Sequence, residues 1–208
     1  MKNVLFTSLV GFALFTAGSS VFANESAAAG DPAAGKTKSQ VCAGCHGGDG
    51  NSANPDWPKL AGQHPKYLVK QLMAFKSGDR KDPTMSAQAA NLSEQDMKDL
   101  AAYFSSQKVK AGSADEASVA LGEAVYRGGN SATGVAACIG CHGPRGTGNP
   151  AAKFPSLSGQ HAKYTEKQLK AFQVSGRAND AGKMMRNTAV HMTEAEIKAV
   201  AQYISGLH

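Results

Sequence analysis

The four cysteines of this chain lie in two pentapeptides whose spacing suits covalent attachment of haem. Residues 42–46 and 138–142 both read C-x-x-C-H. At this spacing two thiols can add to the two vinyl groups of one haem, and the histidine that follows can bind the iron through a ring nitrogen. The sequence therefore predicts two covalently bound c-type haems. The residues predicted to bind them are Cys42, Cys45 and His46 for the first haem, and Cys138, Cys141 and His142 for the second.

Three other uses of a C-x-x-C pair fit this sequence less well. A thioredoxin-like pair would follow a strand in a βαβ pattern, and no strand is predicted before either motif. A zinc site would have to join pairs that 92 residues separate, Cys45 from Cys138, although each pair has its own histidine. A disulfide that closes a two-residue loop would stabilise the chain little. Haem attachment is the favoured interpretation.

The first 23 residues have the pattern of a secretory signal peptide. Lys2 is followed by an apolar run over residues 4–17, and the segment ends in Val21-Phe22-Ala23. The alternative is a membrane anchor, but polar residues and glycines interrupt the run, which is short for a span of about 20 residues. We therefore predict cleavage after Ala23 and export to the periplasm.

The charge of the chain gives little support for nucleic acid as a partner. The formal net charge is +6, and it falls to +5 without the predicted signal peptide. Residues 24–112 carry 11 basic and 9 acidic groups, and residues 113–208 carry 10 and 7. The propionate carboxylates of two haems would bring the net charge of the haem-loaded protein close to zero. This balance suits brief docking to a partner protein by charge complementarity.

The chain is an internal duplication. Three pairs of segments match in the same order along both halves. They are 57–67 with 154–164, 71–75 with 168–172, and 92–97 with 192–197. The small polar stretch Lys110–Asp115 has the composition of a linker. The predicted organisation is a signal peptide over 1–23, a first domain over 24–112 and a second over 113–208.

The segments that precede the haem motifs are predicted to be helical. Asp31 followed by Pro32 predicts a helix start, because aspartate caps a helix and proline suits its first position. Ser118 is the corresponding predicted cap in the second repeat, for a helix over 119–127 that ends at Gly128.

Two further helices are predicted in each repeat. One begins after His64 or His161 and carries apolar residues at helical spacing. The other begins at Ser93 or Thr193. Thr193 with its Glu three residues later forms a full capping box, whereas Asp96 in the first repeat only approximates one. Strand signals are absent from the sequence, so the predicted fold class is all-α.

A c-type haem that carries electrons usually needs a second axial ligand, either a methionine or a histidine. Met85 and Met185 are the predicted ligands, because each lies eight residues before the helix cap of its repeat. Met184 is adjacent, but its counterpart in the first repeat is Thr84. His64 and His161 are also duplicated and stay open as ligands, although a polar role at a helix start is more ordinary. The methionines assigned to packing are Met73, Met97 and Met192.

Pro58 and Pro155 follow His46 and His142 by 12 and 13 residues, each in a Pro-x-Leu step. A ligating imidazole normally donates its other N–H to a carbonyl or carboxylate, which fixes the ring. The carbonyls of these prolines are the predicted acceptors, and a purely loop-stiffening role for proline stays open.

The haem motif, the Pro-x-Leu step, a distal methionine and a closing helix make each half resemble a class I cytochrome c. With C-x-x-C-H-G, L-x-G-Q-H and Y-x-x-x-Q-L in both copies, residues 24–208 resemble the cytochrome c4 family. The resemblance implies two tandem class I cytochrome c domains related by a pseudo-twofold axis, with the haem edges facing the interface. Ser39 stands where the second repeat has Tyr126, which leaves the packing of the first helix on the last open in domain one.

This resemblance implies a periplasmic dihaem electron carrier, not an enzyme, that passes one electron per haem in a respiratory chain. Methionine ligation raises the reduction potential, which suits delivery to a terminal oxidase. The expected partners are a cytochrome bc-type complex or another donor, and the oxidase as acceptor. The chain is expected to be a monomer of two domains, and peripheral attachment to a membrane stays open.

Two other functions remain as alternatives. The haem subunit of flavocytochrome sulfide dehydrogenase resembles such dihaem chains, but there the catalysis belongs to a flavoprotein partner. A dihaem peroxidase needs an iron that can open for peroxide, and a methionine in each repeat argues against it.

Overall fold

The computed structural model describes residues 30–208, which form two successive groups of helices. The predicted signal peptide, residues 1–23, lies outside the described residues. The first group contains α1 (Pro32–Lys38), α2 (Gln40–His46), α3 (Pro65–Ser77), α4 (Pro83–Ala90) and α5 (Glu94–Ser106). The second contains α6 (Glu116–Gly128), α7 (Ile139–His142), α8 (Ala162–Gln173), α9 (Met184–Ala189) and α10 (Glu194–Gly206).

The predicted all-α class is confirmed. In the part of the chain that the structure describes, extended pairing is limited to two isolated bridges, Asn130 with Val135 and Asn149 with Phe154. None of the helices in residues 30–208 is both long and apolar enough to cross a bilayer.

The predicted helix starts are largely confirmed, because their caps form. The Asp31 carboxylate accepts a hydrogen bond from the backbone N–H of Ala33 (2.8 Å). Ser93 and Thr193 both begin full capping boxes. Asp96 does more than the sequence suggested, since its carboxylate accepts the backbone N–H of Ser93 at 2.9 Å. A shorter acid therefore completes the box as well as glutamate does.

The predicted start of the helix at Ser118 is wrong. Helix α6 begins at Glu116, two residues before Ser118, and Asp115 is in the cap position. The Ser118 hydroxyl donates to the Asp115 carboxylate (2.9 Å) inside the first turn. Acidic groups at a helix N-terminus are favourable to its dipole, so Asp115 and Glu116 extend the helix by a turn.

In each domain the first and last helices cross at a glycine. A Cβ atom on Gly35 would lie 2.0 Å from the carbonyl oxygen of Asp99, and one on Gly122 would lie 2.3 Å from that of Ala199. Any larger residue would push the two backbones apart. Helix α1 therefore packs on α5 as closely as α6 packs on α10.

Domain one has Ser39 where domain two has Tyr126, and a tyrosine of another helix makes the corresponding hydrogen bond. In domain two, Tyr126 of α6 is fully buried and donates its hydroxyl to the carbonyl of Gly143, just after the haem motif (2.7 Å). In domain one, Tyr103 of the last helix donates to the carbonyl of Gly48 at the same distance. Ser39 is buried and bonds within its own helix turn. The loop after each haem motif is thus tied to the core in both domains.

An apolar cluster lies inside each domain and contacts its haem motif. The buried members are Leu68, Leu100, Ala101, Tyr103 and Phe104 in the first, and Val125, Tyr126, Val135, Met192, Ile197, Val200 and Ile204 in the second. Met97 and Met192 are buried, as predicted. Met73 is half exposed, so its assignment to packing is wrong. Apolar residues at helical spacing can lie on the exposed face of a helix as well as on the face toward the core, so the spacing alone does not show which face Met73 occupies.

Candidate haem sites

The two motif histidines have the same geometry in both domains. His46 ends α2 and His142 ends α7, and each residue is 6 % exposed. The Nδ1 atom of His46 lies 2.9 Å from the carbonyl oxygen of Pro58, and that of His142 lies 3.0 Å from the carbonyl oxygen of Pro155. The predicted acceptors are therefore confirmed. Because a carbonyl can only accept, Nδ1 carries the ring proton and Nε2 carries the lone pair.

Burial keeps these rings in the neutral form. It lowers the pKa of His46 and of His142, and the hydrogen bonds to the proline carbonyls oppose this effect only in part. Within residues 30–208, Nε2 of neither ring has a hydrogen-bond partner, and neither atom is sealed from solvent. A neutral imidazole with a fixed tautomer and an unused lone pair fits an axial ligand of haem iron.

The first cysteine of each motif contacts the apolar cluster of its domain. Cys42 packs against the core cluster of domain one and Cys138 against that of domain two, whereas Cys45 is half-buried and Cys141 exposed. No disulfide joins any of these four cysteines. Burial raises the pKa of Cys42, and it raises that of Cys138 to about 11. In both motifs it is therefore the first thiol that contacts the core cluster.

The residue after each motif histidine must be glycine. Gly47 has φ of 77° and Gly143 has φ of 76°, in the left-handed region that side chains disfavour. This turn sends the chain back past the histidine toward the proline that accepts its N–H.

Met85 and Met185 lie at the start of short helices, each braced by an aspartate. The Asp82 carboxylate accepts the backbone N–H of Met85 (3.0 Å). The Asp180 carboxylate accepts the backbone N–H of Arg186 (3.1 Å) and pairs with its guanidinium (2.7 Å). Both methionines are half-buried, while Met184 is 44 % exposed. This exposure supports Met185 over its neighbour as the ligand.

His64 and His161, left open as ligands, bond across the domain interface. The Nε2 atom of His64 lies 2.7 Å from the carbonyl oxygen of Thr147, and that of His161 lies 2.8 Å from the carbonyl oxygen of Ser52. Both acceptors belong to loops of the opposite domain. This geometry gives the duplicated histidines a role in joining the domains.

The zinc alternative gains no support. Among residues 30–208, no three histidine, cysteine or acidic side chains come together as a metal cage. The two C-x-x-C pairs stay in separate domains, each beside its own histidine.

The structure shows a helix pair crossing at a glycine, a haem-binding pentapeptide on a helix end and a histidine fixed by a proline carbonyl. These features define a c-type cytochrome domain, and the chain contains two of them. A family model described as Cytochrome c matches residues 32–108 and 119–208.

Comparisons narrow the class further. The chain is 50 % identical over 182 residues to "Cytochrome c4" of Pseudomonas aeruginosa, a match that covers 87 % of this chain and 90 % of the relative. It superposes on a crystal structure of reduced recombinant cytochrome c4 from Pseudomonas stutzeri with a TM-score of 0.84 and 48 % identity, covering 86 % of this chain and all of that one. It is also 38 % identical to "Thiosulfate dehydrogenase electron acceptor" of Thiomonas intermedia, over 83 % of this chain and 81 % of the relative.

The chain therefore belongs to the cytochrome c4 family of the cytochromes c. It is a dihaem c-type cytochrome with two tandem class I domains, and it transfers electrons with redox partners.

Proposed function

We propose that this protein is a periplasmic one-electron carrier of a respiratory chain that delivers electrons to a terminal oxidase. The first haem is attached through Cys42 and Cys45, and the second through Cys138 and Cys141. The axial ligands are His46 with Met85 in domain one, and His142 with Met185 in domain two. The domain boundary falls between residues 112 and 113, and the predicted signal peptide directs export.

The duplicated histidine geometry is the observation that carries the proposal. Both rings are buried, both donate Nδ1–H to a proline carbonyl, and both leave Nε2 for iron. A hydrogen bond of this kind orients the ligand and raises its basicity. A methionine as second ligand would leave the iron no open position for a substrate, which suits electron transfer.

The proposal is tested by the mass and optical spectrum of the purified protein. The mass is expected to equal that of the mature polypeptide plus two haems, and both haems should remain bound after denaturation. The oxidised protein should show the weak far-red absorption band of an iron–thioether bond. A mass with one haem, or extraction of haem into acidified organic solvent, would show that the attachment residues are wrong.

A second candidate function follows from the relative named as an electron acceptor of thiosulfate dehydrogenase. Under this alternative the chain takes its electrons from a thiosulfate-oxidising enzyme. Mixing the oxidised protein with thiosulfate and a purified thiosulfate dehydrogenase would reduce both haems rapidly. The flavocytochrome alternative is distinguished by a flavin-bearing subunit that stays bound during purification.

A further inference from the structure

The peptide group between Pro58 and Lys59 forms a hydrogen bond at each end. Its oxygen accepts the Nδ1–H of His46 at 2.9 Å, within domain one. Its N–H donates to the side-chain oxygen of Gln160 in domain two, also at 2.9 Å. One peptide group therefore connects the motif histidine of the first domain to a side chain of the second.

The second domain repeats this arrangement in the opposite direction. The oxygen of the peptide between Pro155 and Ser156 accepts the Nδ1–H of His142 at 3.0 Å. The N–H of the same peptide donates to the side-chain oxygen of Gln63 in domain one at 2.9 Å. Each domain thus contains a chain of hydrogen bonds that runs from its motif histidine through a peptide group to a glutamine of the opposite domain. We call each chain a histidine–peptide–glutamine relay.

The orientation of each glutamine amide follows from its neighbours. The oxygen of Gln160 also accepts the backbone N–H of His161 (3.0 Å), and its NH₂ group donates to the carbonyl of Lys59 (2.9 Å). Gln63 forms the equivalent bonds in the opposite direction. A flipped amide would turn its NH₂ group toward two N–H donors and its oxygen toward a carbonyl. The atom at the end of each relay is therefore the amide oxygen.

Both glutamines are shielded from water, since Gln63 is 7 % exposed and Gln160 is 9 % exposed. Inside a protein a hydrogen bond is electrostatically stronger than in water, and bonds that form a chain polarise one another. A peptide that donates through its N–H therefore has a more negative oxygen and is a better acceptor. It follows that the glutamine strengthens the hydrogen bond of a motif histidine that belongs to the other domain.

We propose that Gln160 and Gln63 are positioning residues that tune the reduction potential of the haem in the opposite domain. Gln160 acts on the first haem and Gln63 on the second. The inference rests on the proposed function, since it needs His46 and His142 as iron ligands. A stronger Nδ1–H bond makes the imidazole a more basic ligand. Such a ligand favours the oxidised, more positive iron, so each glutamine lowers the potential of the haem that its relay reaches.

This role differs from that of the other hydrogen bonds between the domains. His64 and His161 also bond across the interface, but to the carbonyls of Thr147 and Ser52. The motif histidines donate to other carbonyls, those of the prolines, so these two contacts are not part of a relay. Because both domains share one interface, a variant that only loosens it should affect both haems. Loss of one relay should affect one haem.

The first test replaces one glutamine at a time by leucine, which has a similar volume and no amide. Both midpoint potentials of the haem-loaded protein are measured at about pH 8, where an ordinary histidine is neutral. Gln160→Leu should raise the potential of the first haem and leave that of the second unchanged. Gln63→Leu should do the reverse. The NMR signals of the two axial methionines assign each potential to its haem.

His161→Leu and His64→Leu are the matched controls, because each removes a bond between the domains and leaves both relays in place. The shifts in these variants measure the effect of a loosened interface. The proposal is wrong if Gln160→Leu shifts the first potential no more than His161→Leu does, or if it shifts both potentials equally. A single haem, or a missing far-red band, in the unmodified protein would instead refute the proposed function.

The second test observes the relay directly. In the reduced, diamagnetic protein, the NMR resonance of the Nδ1 proton of His46 reports the strength of its bond to the Pro58 carbonyl. This resonance should move upfield in Gln160→Leu, while that of His142 stays in place. Gln160→Glu keeps an oxygen at the end of the relay and should restore the His46 resonance. If it does not move in Gln160→Leu, or moves equally in Gln160→Glu, the opposite domain does not act on this bond and the proposal is overturned.

Discussion

The side-chain amide of Gln63 forms two hydrogen bonds with the backbone of Ser156 in the opposite domain, one in each direction and both 2.9 Å long. Gln160 does the same with the backbone of Lys59, again with two bonds of 2.9 Å. Ser156 and Lys59 each follow the proline whose carbonyl orients the motif histidine. Each domain therefore holds the loop that orients the motif histidine of the other.

Gln63→Ala should destabilise the protein because it removes the partners of the Ser156 backbone N–H and C=O in a partly buried contact. Unsatisfied buried groups cost about 1–3 kcal/mol, so the free energy of unfolding should fall by about that amount. Gln160→Ala should behave alike. The measurement is denaturant unfolding of the haem-loaded protein, with the exposed Gln88→Ala as control. A loss no larger than that of the control would mean that the domains are held together elsewhere.

The helix crossings predict a strong effect of a single methyl group. Gly35→Ala and Gly122→Ala each place a Cβ within 2.3 Å of a backbone oxygen on the partner helix. A backbone oxygen cannot move aside as a flexible side chain can, so the two helices must separate. The free energy of unfolding should fall by about 1–3 kcal/mol, the typical cost of overpacking. Gly128→Ala is the matched control, because a Cβ there meets no atom within 4 Å. Thermal unfolding should show a lower midpoint for the first two variants and no loss for the third.

An ion pair specific to domain one predicts acid sensitivity. Asp99 is buried and its carboxylate binds the Lys38 ammonium at 2.5 Å. The hydrogen bond from Lys38 lowers the pKa of Asp99 below its usual value, against the opposing effect of burial. A lowered pKa in the folded state means that the pair stabilises the protein above the unfolded-state pKa of about 4, and that this stability is lost as pH falls through the folded value.

Asp99→Asn should therefore be less stable than the unmodified protein at pH 7, and the difference should close as pH falls below about 4. The measurement is thermal unfolding as a function of pH. Asp79→Asn is the control, because Asp79 is exposed on the turn after α3. A difference that stays constant down to the lowest pH would assign the loss to packing rather than to charge.

The sequence predicted the helices and the haem motifs because both depend on local chemistry. Asp31, Ser93 and Thr193 cap helices through atoms within three residues of themselves, and the spacing of Cys42 and Cys45 is that of a haem-attachment motif. The start of α6 was predicted wrongly at Ser118, because several residues of the segment 115–118 can cap a helix and tertiary packing decides among them.

The interface could not be predicted in the same way. Gln63, His64 and Arg80 contact residues of the opposite domain that lie 83 to 93 positions away, and nothing local reveals those partners. The available signal was that these residues recur in the second half of the chain. Residues that are repeated but are not part of the haem motif are candidates for contacts between the two domains. Tyr103 was missed for another reason. It replaces Tyr126 from a different helix, which an alignment of the two halves does not show.

The choice of methionine ligands predicts a selective spectral change. Met85→His and Met185→His should each remove the far-red band of one haem and leave that of the other, since each methionine belongs to a different domain. Met184→Leu is the control and should leave both bands intact, because Met184 is 44 % exposed whereas Met185 is half-buried. Loss of a band in Met184→Leu but not in Met185→Leu would place the ligand one residue earlier.

A stable interface between the two domains predicts that electrons pass between the two haems of one molecule. Two domains of this size would each be marginal alone, because small chains bury a smaller fraction of their surface. Here they are joined by the reciprocal bonds of Gln63 and Gln160 and by those of Arg80 with Gln168 and Arg177 with Gln71. The segment 110–115 connects them. The haems should therefore stay at a fixed separation, and electrons should equilibrate between them inside one molecule.

Rapid mixing with a sub-stoichiometric reductant measures this directly. After the initial reduction, the redistribution of electrons between the two haems should proceed at a rate that does not change with protein concentration. The double variant Gln63→Ala/Gln160→Ala loosens the interface and should slow that rate, whereas Gln88→Ala should not. A redistribution rate that rises in proportion to protein concentration would mean that electrons pass between molecules, and that the two haems do not form a coupled pair.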